Sequence, residues 1–207
     1  MSNFNRVSWA YDFLVKLVFG KSLRDAQAHY LKRISNHSKI LVIGGGTGII
    51  LEDLYNLCPN THVDYVEASS SMIRLAKKKA KPNWSIEFIH QSDTSKLPNQ
   101  HYDYIIAGFF LDVFPEKQLE TVVKNLKSSL KPEGKLHVTD FHTDMYDWWW
   151  SRALLKGMFL FFRLSARLES KKLLPFSDFL NAQGLSEKAQ GRHYHSLVWT
   201  SVWSINK

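Results

Sequence analysis

The chain predicts an α/β fold: a mostly parallel seven-stranded sheet ending in an antiparallel C-terminal hairpin, with helices on both faces and an N-terminal helical cap. Three observations predict it. Short apolar runs alternate with helical periodicities from Lys39 to Phe141, an order that joins parallel strands by crossover helices. A glycine-rich loop, Gly44 to Gly48, links the first run to the first of these helices. The tail breaks the alternation with two strand-like runs in succession around GRHYH, the pattern of a hairpin.

Each element follows in order. From Phe13 to Ile34, Leu14, Leu17, Val18 and Leu31 fall at helical intervals with Gly20 as a break, which predicts two short helices and makes residues 1–38 the cap. Ile40 to Ile43 is the first strand. Ile49, Ile50, Leu54 and Leu57 then line one face of a helix that stops near Pro59. His62 to Val66 is a strand, Ser70 to Lys79 a helix, and Ile86 to Ile89 and Tyr104 to Ala107 the third and fourth strands. A helix from Glu116 to Leu130 ends at the turn Lys131 to Gly134, and Lys135 to Phe141 is the fifth strand. Residues 143–176 are inserted before a helix over Ser177 to Gln183, which Gly184 stops. Leu185 to Gln190 and Leu197 to Ile205 form the hairpin.

A chain of 207 residues without repeats or low-complexity linkers predicts a single domain, 1–207. Its 44% hydrophobic and 22% charged residues are ordinary for a globular protein and exclude disorder. The net charge of +8 is compatible with nucleic acid, an anionic membrane surface or mere solubility, and alone decides nothing. The single cysteine, Cys58, excludes an internal disulfide and a CxxC metal or redox pair. No metal is expected, and the chain reads as cytoplasmic. Its first 21 residues have no secretory pattern, and their charges interrupt any membrane span.

The glycine loop carries the functional signal. Glycines after a first strand allow a tight turn and bring backbone close to a ligand near a helix N-terminus. A dinucleotide fingerprint would need glycine where Ile49 or Leu51 stands. The spacing is GxGxG instead, over Gly44, Gly46 and Gly48. Glu67 follows Gly48 by 19 residues at the end of the second strand, where a carboxylate can accept from both hydroxyls of a ribose. Loop and carboxylate together predict nucleoside binding.

The segments ILVIGGGTG, DYVEASSSMIRLAKKKA, FIHQSDTSKLP, YDYIIAGFFLDVF and LKPEGKLHVTDF, in this order, resemble the successive motifs of class I S-adenosylmethionine-dependent methyltransferases. The resemblance spans about Lys39 to His142. It implies a Rossmann-like seven-stranded sheet whose last strand is antiparallel, with S-adenosylmethionine as cofactor. It implies that Gly44, Gly46, Thr47 and Gly48 border the methionine portion, that Glu67 holds the ribose, and that Ala68 and Met72 flank the adenosine. Asp93 with Thr94 matches the contact to the adenine amino group, and Gly108 and Phe109 end the fourth strand beside the methyl donor. One position departs: many relatives carry an acidic residue where this chain has Val42. The opening FNRVSWAYDFL also resembles, more weakly, ubiquinone and menaquinone C-methyltransferases, which implies Tyr11 at the pocket.

Methyl transfer is an in-line displacement at a sulfonium, so alignment and water exclusion come first. A base is needed only for a protonated nucleophile. Asp112, Asp140 and His142 are the titratable residues at the strand ends, with His142 and then Asp112 the candidate bases. The chain has AGFFL where base-amino methyltransferases carry [DNS]PP[YFW], and Cys58 stands at a helix end far from any cytosine C5 chemistry. Lys77 to Lys81 is a solvated helix end. A nucleic-acid acceptor is therefore disfavoured. Within Asp147 to Ser170, taken as one helix at about 100° per residue, Arg152, Lys156, Arg163 and Arg167 fall in an arc of roughly 60° on an aromatic and aliphatic background. Such a stripe suits a membrane interface or the cover of a lipophilic pocket. The expectation is methyl transfer to a small, hydrophobic or lipid-like acceptor. The alternatives are a noncatalytic binder of the same nucleoside and a basic membrane-surface or RNA-associated protein.

Overall fold

A computed structural model describes residues 21–141 and 176–206. Tyr11, His142, the first cap helix and the inserted segment up to residue 175 lie outside the described residues. The elements are α1 (Ser22–Ala28), β1 (Lys39–Ile43), α2 (Leu51–Leu57), β2 (His62–Glu67), α3 (Ser70–Lys79), β3 (Ile86–His90), β4 (Tyr102–Gly108), α4 (Glu116–Ser129), β5 (Leu130–Phe141), α5 (Phe176–Ala182), β6 (Leu185–His193) and β7 (Val198–Ile205). Single 3-10 turns stand at Leu31–Arg33, Thr94–Lys96 and Leu111–Val113.

The strands form one sheet in the order β3-β2-β1-β4-β5-β7-β6. β1 to β5 are parallel, and β7 pairs antiparallel with both β5 and β6. The strand order reverses between β1 and β4, and crevices for ligands open beyond the C-terminal strand ends at such a point. The register Ile43 with Ala107 sets Gly44 and Gly108, the next residue of each strand, side by side there.

Alternate strand residues go to different cores, which explains why the strands read as continuous apolar runs. Leu41, Ile43, Ile105, Ala107, Leu136 and Val138 pack with Leu119, Val123 and Leu126 of α4 and Leu180 of α5. Ile40, Val42, Tyr104 and Ile106 pack with Leu51 and Leu54 of α2, Ala76 of α3, and Leu31 and Ile34 after α1. Arg24 fastens α1 to α2 through Asp53, with Nη2 2.7 Å from Asp53 Oδ1 and 3.0 Å from Glu52 Oε2.

Within the described residues the expected elements are present, with shifted ends. β5 starts at Leu130, so the predicted turn Lys131 to Gly134 is drawn into the strand. A register shift between Tyr102 and Tyr104 absorbs it, because Leu130 already pairs with Tyr102. β6 runs on through Gly191 to His193, since those residues pair with Thr200, Trp199 and Val198; the turn lies after them. The helix face begun at Ile49 becomes helical only at Leu51, leaving Ile49 39% exposed. Among the described residues no helix is long and apolar enough to cross a membrane.

Candidate cofactor and acceptor site

Gly44, Gly46 and Gly48 adopt φ of 64°, 61° and 80°, left-handed values that cost a side-chain-bearing residue conformational energy. The turn they make is pinned on three sides. The Gly44 N–H donates to Val66 O at 2.9 Å, and the Gly46 N–H to Glu67 Oε2 at 2.9 Å. The Tyr65 hydroxyl donates to Gly46 O at 3.0 Å. A Cβ at Gly48 would stand 3.0 Å from Ala76 Cα, so this glycine lets α3 approach the loop. Thr47 is buried, with the Lys79 ammonium 3.5 Å from its hydroxyl.

Glu67 ends β2 at 8% exposure. Its Oε1 accepts the Ser69 N–H at 2.8 Å, so each oxygen takes one backbone donor. A carboxylate oxygen offers about two acceptor sites, leaving capacity for two ribose hydroxyls. Ala68 is exposed, and its carbonyl accepts from His90 Nε2 at 2.8 Å. Met72 is half-buried on α3, whose first turn Ser69 caps. Together these flank the mouth over β2. A Cβ at Gly46 would meet nothing within 4 Å, so the loop faces open space on this side.

Asp93 follows β3, exposed, with its Oδ1 accepting the Ser95 N–H at 2.9 Å. The Ser95 side chain, and then this backbone bond, hold its carboxyl below the usual range. Thr94 is buried, and its hydroxyl accepts from Asn125 Nδ2 at 2.9 Å, so its side chain braces α4.

On the β4 side the chain reverses at Phe109, which takes a φ of 52° and donates its N–H to Thr139 O at 2.7 Å. The turn lays Phe110 over Gly44: a Cβ at residue 44 would be 2.5 Å from the Phe110 ring. Rings cluster beyond it. Phe109 and Phe141 are 5.0 Å apart between centroids, Phe110 and Phe114 5.0 Å, and Phe176 and Trp199 are stacked at 4.9 Å.

Asp112 and Asp140 meet in this apolar setting. Asp140 is fully buried; its Oδ2 accepts the Asp112 N–H at 3.2 Å and its Oδ1 the Phe141 N–H at 3.0 Å. Asp112 Oδ1 is buried with no hydrogen-bond partner. Burial, and then the neighbouring Asp112 charge, raise the Asp140 carboxyl well above the ordinary range. Burial pushes Asp112 up to about 6. The pair can hold a proton at neutral pH.

The structure thus brings Gly44, Gly46, Thr47, Gly48, Glu67, Ala68, Met72, Gly108, Phe109 and Asp112 to the same end of the sheet, with Asp93 beyond β3. Val42, where the expected motif departs, is 2% exposed in an apolar cluster and offers no polar group. Sequence reasoning missed Phe110, Tyr65 and Gln27, whose positions depend on how the loop after β4 folds back and where α1 docks. His62, Asp64 and Glu87 could present ligands to a metal. Asp64, however, already accepts from Tyr102 and His62 at 3.0 Å and faces Lys39 at 3.5 Å, and the group lies at the beginning of β2, opposite the glycine loop.

Comparison with known proteins agrees with this geometry. Residues 40–134 match the family described as methyltransferase domain. Malonyl-[acyl-carrier protein] O-methyltransferase 2 of Ilyobacter polytropus is 27% identical over 144 residues, 70% of this chain and 54% of that protein. The malonyl-[acyl-carrier protein] O-methyltransferase of Halalkalibacterium halodurans is 32% identical over 112 residues, 52% of this chain and 40% of that protein. The chain therefore spans about half the length of the curated relatives it matches. In fold it resembles 1,6-didemethyltoxoflavin-N1-methyltransferase of Burkholderia thailandensis, solved with 1,6-didemethyltoxoflavin and S-adenosylhomocysteine, at a TM-score of 0.67 and 14% identity over 98% of this chain and 89% of that one. Motif series, strand order and the match over residues 40–134 agree in likening this chain to the class I S-adenosylmethionine-dependent methyltransferases, whose fold it shares.

Proposed function

We propose that this protein transfers the methyl group of S-adenosylmethionine to a small, hydrophobic acceptor bound beside the C-terminal ends of β4 and β5. The observation that carries the acceptor class is the aromatic character of those ends, where Phe109 pairs with Phe141 and Phe110 with Phe114. The names of the relatives, which specify a malonyl group on a carrier protein, and the 1,6-didemethyltoxoflavin held by the structural neighbour are consistent with a small acceptor.

When bound, S-adenosylmethionine supplies an electrophilic methyl on a sulfonium. In this proposal Glu67 accepts from the ribose, Ala68 and Met72 flank the adenosine, Asp93 meets the adenine amino group, and the glycine loop takes the methionine portion. Phe109 and Phe110 exclude water where charge is being neutralised. For an acceptor with an O–H or N–H, Asp112 Oδ1 is the proton acceptor among the described residues; His142 is the other candidate.

Calorimetry with S-adenosylhomocysteine followed by a methyl-release assay tests this. Micromolar binding with turnover on apolar phenols or acyl thioesters is expected. Binding without turnover on any acceptor supports a noncatalytic binder, and no binding removes the proposal.

A further inference from the structure

The cofactor's amino-acid end is a zwitterion, and three of the backbone donors of the loop facing it are already engaged. The N–H groups of Gly44, Gly46 and Gly48 are committed to Val66 O, Glu67 Oε2 and Gly45 O. The side chains bordering the crevice on β1 and β4 are apolar: Val42 and Ile43 are at most 3% exposed, and Phe109 and Phe110 follow Gly108. An ammonium and a carboxylate buried there without partners would cost far more than their burial returns.

One polar side chain reaches this crevice from outside the recognised motifs. Gln27 of α1 lies against Gly108, with its Nε2 2.9 Å and its Cδ 3.0 Å from where a Gly108 Cβ would stand. No hydrogen bond to the Gln27 carboxamide is found among the described residues. Its helix is held from three directions: Arg24 binds Asp53 and Glu52, Leu23 and Ala26 are buried, and the His29 ring meets His193 edge-on at 4.9 Å. A carboxamide carries both a donor and an acceptor. We infer that Gln27 binds the α-amino-acid zwitterion of S-adenosylmethionine, and that a Cβ at residue 108 would push its carboxamide out of this position.

This rests on the methyltransferase function proposed above and adds a residue to its site. The test is calorimetry of wild type, Gln27→Ala and Gly108→Ala with two probes. S-adenosylhomocysteine carries the amino acid; 5′-methylthioadenosine lacks it. Affinity of both variants for S-adenosylhomocysteine should fall about tenfold or more, while affinity for methylthioadenosine stays within about twofold. Unchanged affinity for both probes overturns the inference, as does an equal loss for both, which would make Gln27 a structural support. If wild type binds methylthioadenosine and Gln27→Ala loses nothing, only the role of Gln27 fails. If wild type binds neither probe, both it and the proposed function fail. Thermal melts of the variants identify an unfolded protein, and Gln27→Glu, which retains an acceptor of the same length, should keep more S-adenosylhomocysteine affinity than Gln27→Ala.

Discussion

Glu67 joins the glycine loop to the second strand: its Oε2 accepts the Gly46 N–H at 2.9 Å across 21 residues of sequence. The same carboxylate, through Oε1, accepts the Ser69 N–H at the start of α3. Glu67→Gln would turn an NH2 donor toward one of these N–H groups. Hydrogen bonds to a charged group contribute about 1.5–3 kcal/mol, so affinity for S-adenosylhomocysteine should fall by at least about tenfold, with a lowered melting temperature. Calorimetry beside a thermal melt checks both; full affinity in the variant would contradict the site.

Gly45 is needed for space rather than for backbone conformation. A Cβ there would stand 2.2 Å from Tyr65 Cζ, and Tyr65 is fully buried. Overpacking of this kind costs about 1–3 kcal/mol. Gly45→Ala should lower the urea midpoint accordingly. It should also weaken cofactor binding, because displacing Tyr65 loosens its bond to Gly46 O. A midpoint equal to wild type would count against the clash.

Much of this site is legible in sequence because its signals are local. GxGxG with Glu67 lies within one strand-loop-helix-strand unit, and apolar runs mark β1, β2 and β4 since both sheet faces are covered. What escapes depends on distant packing. β5 extends back to Leu130 only because Tyr102 pairs with it, despite Pro132 and Gly134, which locally favour a turn. β6 passes through Gly191 because β7 supplies partners. Gln27 has no motif at all: its place follows from the docking of α1 through Arg24, 28 and 29 residues from its partners.

Cys58 should be inert in the folded protein. It is 1% exposed, its Sγ donates to Leu31 O at 3.2 Å, and burial pushes the thiol up to about 11. The thiolate is the reactive form. A thiol reagent at pH 8 should label it only after denaturant is added, as mass spectrometry would show. Rapid labelling of native protein would contradict this packing.

Asp112 and Asp140 should make stability fall as pH rises. Burial raises the folded pKa of both, that of Asp112 to about 6; unfolded aspartate ionises near 4. Between those values the native state binds more protons than the unfolded chain, so unfolding free energy decreases with pH. Asp93 and Asp103, whose carboxyls are held below the ordinary range, act in the opposite direction at lower pH. The comparison with Asp112→Asn cancels their contribution. Asp112→Asn removes one of the two charges, so its loss of stability between pH 4.5 and 7.5 should be smaller than that of wild type by about 1–2 kcal/mol. Urea denaturation at the two pH values measures the difference. Equal slopes in the two proteins would mean that the Asp112 carboxyl titrates alike in the folded and unfolded chain, and Asp112 would then lose its claim to hold a proton at the acceptor site near neutral pH.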